Sequence, residues 1–365
     1  MSNIVMILTN LFQPDVRVYK EASYLAEIGH DVEVLCWDRK NEMKSLPVED
    51  VSGFRVRRFF PYSVPGTGIR QLKAYLSFVL KCKKYLKDKQ IDFLYCHDLD
   101  GAIAGMFLRK KSVSLIFDMH EYYEGKCKST FKKSITKFTV DYVQNKSKSI
   151  VYVNEIQKFN INEKNVSKLI YLPNYPIASD FIGSEKSLSD KIRISYIGVV
   201  RQLNQLANLM EACKDIPDVV VNIHGSGVQY ERIKNLAEKY KNVRVTGAYH
   251  FTESPKLYSE TDISYIVYPM DNIQNIVAEP VKFFEAIITK TPMIVSKEMN
   301  ISEMVCDKNI GFKVDGSSVE EIRNLVQTVS SNRAILTKKV ENLDQIQDNY
   351  RWETIVKNLN QIFED

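Results

Sequence analysis

Twice along this chain, short runs of β-branched and aromatic residues alternate with longer amphipathic stretches, and that rhythm admits few folds. The first set of runs lies at 4–8, 32–37, 54–60, 93–96, 115–117 and 150–153, with helical periodicity over 16–28 and 69–87. Parallel strands need long crossovers, so strands separated by helix-length segments spell a parallel sheet covered by helices. A further strand-like run at 169–172 stops at Pro173-Asn174-Tyr175-Pro176, a clear interruption. The rhythm restarts with runs at 192–197, 219–223, 243–245, 263–268, 293–295 and 311–314. Two α/β domains are expected, 1–172 and 173–340, followed by 341–365, whose helix around 352–363 is expected to pack back toward the first domain.

Composition narrows the class. An apolar share of 44% and a charged share of 26% are those of a globular chain with an ample core. The six cysteines, Cys36, Cys82, Cys96, Cys127, Cys213 and Cys306, include no C-x-x-C pair, so neither a zinc site nor a disulfide framework is indicated. Residues 4–8 follow Met1-Ser2-Asn3 without the basic region of a signal peptide, and no apolar run approaches the ~20 residues that cross a bilayer. A cytoplasmic protein is expected. Charge is unevenly shared: 51–150 holds 20 basic and 8 acidic residues. That excess suggests an anionic partner for the N-terminal domain, either a membrane surface or a phosphorylated acceptor, with solvated helix faces as the plain alternative. Its carriers are 70–89, with Lys73, Lys81, Lys83, Lys84 and Lys87, and 126–148, with Lys126, Lys128, Lys132, Lys133 and Lys137 around Phe131, Ile135 and Phe138. Nucleic acid is not an expected partner.

Several short segments stand at strand exits, where open α/β sheets bind ligands. They include Asp118-Met119-His120-Glu121, Tyr196-Ile197-Gly198 with Arg201, His224-Gly225-Ser226-Gly227, Gly247-Ala248-Tyr249 and Pro280-Val281-Lys282-Phe283-Phe284-Glu285. Lys282 and Glu285, three apart on a helix starting near Pro280, share one face. A carboxylate there can accept ribose hydroxyls, and an ammonium can neutralise a diphosphate. The alternative is a surface ion pair. Gly225 and Gly227 would let backbone approach a ligand, but Tyr230 stands where a dinucleotide fingerprint needs its third glycine, so NAD binding is not expected. Asp98-Leu99-Asp100 resembles a metal-binding triplet, yet it precedes a helical segment and reads as a helix cap.

Taken in order, these segments, with 17–39 around Gly29-His30-Asp31-Val32 and with Leu172-Pro173-Asn174, resemble the family-4 retaining glycosyltransferases over nearly the whole chain. The resemblance implies the GT-B fold, two Rossmann-like domains whose parallel sheets face each other across a cleft. It implies transfer of a sugar from a nucleotide-sugar donor to a glycan or lipid-linked acceptor, with retained configuration, no metal, and no cofactor beyond the nucleotide-sugar co-substrate. Such an enzyme would serve cell-surface polysaccharide or glycoconjugate synthesis, on the inner face of the cell membrane if the basic domain docks there. Glu285 would hold the ribose and Lys282 the diphosphate, with Arg201 and Arg17 as further cations. A neutral His120 would hydrogen-bond the donor sugar, and Gly225, Gly227, Ala248 and Tyr249 would flank the nucleotide through backbone. The acid the family carries eight residues before Glu285 is Val277 here, leaving Glu279 as the nearest carboxylate. A nucleotide-sugar epimerase of the same architecture and a non-catalytic sugar-nucleotide-binding protein remain alternative readings.

Overall fold

Most strands of this protein read as unbroken apolar runs because helices cover the sheets on both faces, which removes the alternation of a half-exposed strand. The computed structural model describes residues 1–13, 15–64, 67–127, 129–158, 161–183 and 186–364; Lys128 lies outside them. The chain divides into two units, Met1–Pro173 with Val356–Asp365, and Asn174–Ile355. Among the described residues no helix is long and apolar enough to cross a membrane.

The first unit runs β1 (Asn3–Leu8), α1 (Val16–Glu27), β2 (Asp31–Trp37), β3 (Val48–Val51), β4 (Phe54–Phe59), α2 (Ile69–Tyr85), β5 (Phe93–His97), α3 (Asp98–Leu108), β6 (Ser114–Met119), α4 (Thr130–Lys146), β7 (Ser149–Tyr152), α5 (Glu155–Lys158) and β8 (Leu169–Tyr171). Its sheet has the order β3-β4-β2-β1-β5-β6-β7-β8. All pairs are parallel except β3 with β4, a hairpin the strand reading did not anticipate. The hairpin turns at Ser52-Gly53, both at positive φ (45° and 87°), the geometry that matches strand twist. The chain passes to one side of β1 first and then returns to β5 on the other, so the loops after β1 and β5 diverge there and open a crevice.

Residues 356–364 complete this unit. Phe363 stacks on His30 with centroids 4.2 Å apart and meets Phe93 edge-on at 5.1 Å, while Asn358 Nδ2 donates to the Tyr171 carbonyl. Residues 341–355, expected to travel with them, stay in the second unit. Leu343 is buried in that unit's core, and Tyr350 packs on Phe284 and Tyr175 at 5.9 and 5.4 Å.

The second unit runs β9 (Ile192–Ile197), α6 (Leu203–Cys213), β10 (Val219–His224), α7 (Tyr230–Ala237), β11 (Val243–Gly247), α8 (Ser254–Ser259), β12 (Ile263–Ile266), α9 (Ile273–Ile276), α10 (Val281–Ile288), β13 (Met293–Ser296), α11 (Ile301–Asp307), β14 (Gly311–Val314), α12 (Val319–Ser331), α13 (Ala334–Ile346) and α14 (Trp352–Ile355). Its all-parallel sheet has the order β11-β10-β9-β12-β13-β14, the doubly wound 3-2-1-4-5-6 arrangement with its switch between β9 and β12. One apolar cluster, built on Ile194, Tyr196, Leu206 and Val221, covers one face. Another, built on Ile197, Phe283, Ile287 and Val295, covers the other.

Candidate functional site

In the second unit the strand exits are knit together by backbone. Gly198 N–H donates to the His224 carbonyl at 3.0 Å, and Gly225 N–H donates to the Gly247 carbonyl at 2.7 Å. Gly225 has φ 129°, and a side chain there would run into the Gly198 carbonyl oxygen, so only glycine permits this approach. Helix α10 points its N-terminus at the same edge. Lys282 Nζ lies 3.8 Å from the centroid of the Tyr196 ring, and a Cβ on Gly198 would stand only 3.0 Å from it. The ammonium is thereby held at the switch between β9 and β12.

Burial pushes the Lys282 ammonium down to about 7, with Glu285 opposing the shift. One turn along α10, Glu285 Oε2 accepts from the Tyr258 hydroxyl at 3.1 Å. Arg201 is exposed on the loop after β9, and its charge reaches the Tyr196 and Tyr268 hydroxyls. Ala248 and Tyr249 follow β11, Ala248 exposed and Tyr249 packed against the core. Glu279 sits just ahead of Pro280, and Gly227 lies in the middle of the loop between β10 and α7.

The first unit builds a chain of alternating charge. Arg17, on the buried face of α1, grips Asp118 through Nε at 3.0 Å and Nη2 at 2.7 Å, reaches the Leu172 carbonyl through Nη1 at 2.8 Å, and lies 2.9 Å from Glu21. With its donors so committed, Arg17 is not the free diphosphate cation expected from the sequence; helix periodicity turns it inward beside two carboxylates. Asp118 also contacts His97 Nδ1 at 2.9 Å and His120 Nε2 at 2.5 Å. Burial alone would raise the Asp118 carboxyl, but the Arg17 guanidinium and the two imidazoles hold it well below the usual carboxylate range. Burial raises Glu21 and so favours its neutral form, against the pull of Arg17.

His120 faces a second carboxylate, with Nδ1 3.5 Å from Asp98 Oδ2. Burial disfavours its charge, but Asp118 and Asp98 outweigh that and raise the ring from 6.5 to about 9. The two carboxylates thus favour the imidazolium over the neutral imidazole expected from the sequence. Asp98 is not a helix cap either: α3 starts at Asp98 itself, its N-terminus has no side-chain cap, and Asp98 Oδ1 accepts from the Tyr123 hydroxyl at 3.0 Å. Asp100 accepts from Thr9 at 2.7 Å across the β1–β5 crevice. The sequence reading passed over His97; the Cys96-His97-Asp98 strand end was its only signal.

His97, Asp118 and His120 bring ligand atoms within 4.8 Å of one another, a spacing that suits a metal ion. Both Asp118 oxygens are nonetheless engaged by the Arg17 guanidinium, whose fixed charge repels a cation, so these residues do not fit a metal centre.

Residues 180–352 match the family described as Glycosyl transferases group 1, and residues 14–174 match the Glycosyl transferase 4-like domain. An uncharacterised glycosyltransferase of Methanocaldococcus jannaschii is 23% identical over 97% of this chain and 89% of its own length. Among solved structures, sucrose-phosphate synthase from Thermosynechococcus elongatus superposes with a TM-score of 0.79 at 16% identity, covering 100% of this chain and 98% of the other. HepE of Anabaena, solved with UDP and glucose, gives 0.70 at 13% identity and 99% coverage of both chains. These likenesses show the GT-B fold.

Proposed function

Because the chain belongs to the glycosyltransferases, with a Glycosyl transferase 4-like domain followed by a Glycosyl transferases group 1 domain, we propose that it moves a hexose from a nucleotide-sugar donor to a glycan or lipid-linked acceptor. The observation that carries this reading is Lys282, held against Gly198 at the sheet's switch point with Glu285 one turn away. A nucleoside diphosphate at that edge would put its phosphates beside Lys282, Arg201 and the uncapped first turn of α10, and its ribose within reach of Glu285. Gly225, Gly227, Ala248 and Tyr249 would border the nucleotide, and Glu279, the carboxylate nearest in sequence to Val277, would be the one to reach the sugar. The HepE complexes with UDP and with UDP-glucose make UDP-sugars the first donors to try.

In the proposed reaction the acceptor hydroxyl oxygen bonds to the anomeric carbon on the face from which the diphosphate leaves. The carbon–oxygen bond to phosphate breaks, and the hydroxyl proton passes to a phosphate oxygen, so configuration is retained. Fixed cations stabilise the leaving charge without a metal, and preorganised electrostatics of this kind contribute strongly to catalysis. A place in cell-surface glycoconjugate synthesis, working from the cytoplasmic side of a membrane, gains support from α4. Its inner face buries Val140 and Val143, whereas Phe131 is 76% and Phe138 73% exposed, with Ile135 and Tyr142 also outward beside Lys132, Lys133 and Lys137.

The test is a screen of UDP-, GDP- and dTDP-sugars with lipid extract, read by mass spectrometry. Transfer to an acceptor is expected. Conversion of donor without acceptor would mean an epimerase, and no turnover with any donor a binding protein.

A further inference from the structure

We propose that Asp98 is a substrate-contacting residue of the transfer reaction, its carboxylate receiving a hydrogen bond from a sugar hydroxyl while His120 holds it in place. The inference rests on the glycosyl-transfer reading and adds a residue that reading does not use. Three observations carry it.

The first is a relay of opposite charges that leads outward. From Arg17, 8% exposed, it passes through Asp118 at 0% and His120 at 17% to Asp98 at 36%. Each inner member is consumed by its neighbours: both Asp118 oxygens hold Arg17, and both His120 nitrogens face carboxylates. An imidazolium arranged this way has no proton to spare for substrate. Asp98 does have acceptor capacity to spare, because each carboxylate oxygen accepts two hydrogen bonds and only Tyr123 and His120 approach them in the contacts described.

The second is location. Asp98 follows β5 where the sheet order turns back across β1, the crevice in which open α/β sheets bind ligands. The third is conformation. Asp98 holds φ 61°, a left-handed geometry unfavourable for a residue with a side chain, although it makes no capping hydrogen bond that would explain it. Such conformations persist at functional sites when the surroundings enforce them.

The test compares wild type with Asp98→Asn and Asp98→Gly. Asparagine tolerates the same backbone and removes only the charge; glycine removes the side chain and the strain together. Both variants are expected to keep wild-type affinity for the nucleoside diphosphate of the active donor, which the proposed reading binds beside Lys282, and to lose at least tenfold in kcat/KM. The loss is expected to appear as a rise in acceptor KM, which locates the hydroxyl on the acceptor. Undiminished kcat/KM in Asp98→Asn beside an active wild type overturns this inference alone. A wild type inactive with every donor overturns the transfer reading and this inference together.

Discussion

Burial pushes the Lys282 ammonium down to about 7, so near neutral pH part of the population lacks that charge, and a diphosphate arriving beside it should draw the missing proton from solution. Calorimetry in buffers of different ionisation enthalpy should therefore record fractional proton uptake on nucleotide binding that grows as pH rises above 7. Lys282→Ala should abolish that uptake. Lys282→Ala and Glu285→Ala should each lower turnover at least tenfold, about 1.4 kcal/mol, with an unchanged fold by circular dichroism. Near-normal turnover in both would remove the donor site from α10. His120 makes a second prediction at this scale. Its ring is raised to about 9 while surrounded by Asp118 on β6, Asp98 on α3, Arg17 and Glu21 on α1, and His97 on β5. A raised histidine contributes its stability fully below about pH 6.5 and loses it as pH climbs through about 9, a span on the order of 3 kcal/mol. The wild-type Tm should thus fall more steeply than that of His120→Gln between pH 6.5 and 10. Parallel slopes would mean that folding does not raise the ring's pKa.

Helix α4 presents an apolar face that finds no core. A helix that merely covered the sheet would turn Phe131, Ile135 and Phe138 inward, but the sheet takes only the Val140 and Val143 side, and the aromatic residues stay in solvent among lysines. Lysines near an anionic surface contribute on the order of 1 kcal/mol each, and inserted aromatic rings add to that. Wild-type protein should co-sediment with vesicles containing phosphatidylglycerol more than with neutral ones, less so in high salt. Phe131→Ser with Phe138→Ser, and separately Lys132→Glu with Lys133→Glu, should weaken that binding without changing Tm, since all four side chains are exposed. Equal, negligible binding of the wild type to both vesicle types at low salt would point to a soluble acceptor.

For the molecule as a whole, the sequence and the tertiary structure decided different things. If the fixed cations alone stabilise the leaving diphosphate, turnover should survive EDTA, and loss restored by manganese would bring the His97, Asp118 and His120 group back into question. Strand runs, crossover helices and the break at Pro173 were legible because they are local signals: periodicity, apolar runs and turn residues report on neighbours in the chain. So was the glycine-edged rim at Gly198 and Gly225, since left-handed or close-packed backbone leaves its mark in composition. Even the missed β3–β4 hairpin had its local cue in Ser52-Gly53. The pairing of Arg17 with Asp118, 101 residues apart, had none. Whether an arginine meets a ligand or a buried carboxylate, whether an aspartate caps a helix or faces an imidazole, and whether Phe131 packs or protrudes depend on which elements the sheet order brings side by side. Sequence distance carries no record of that, because charge and burial act through space.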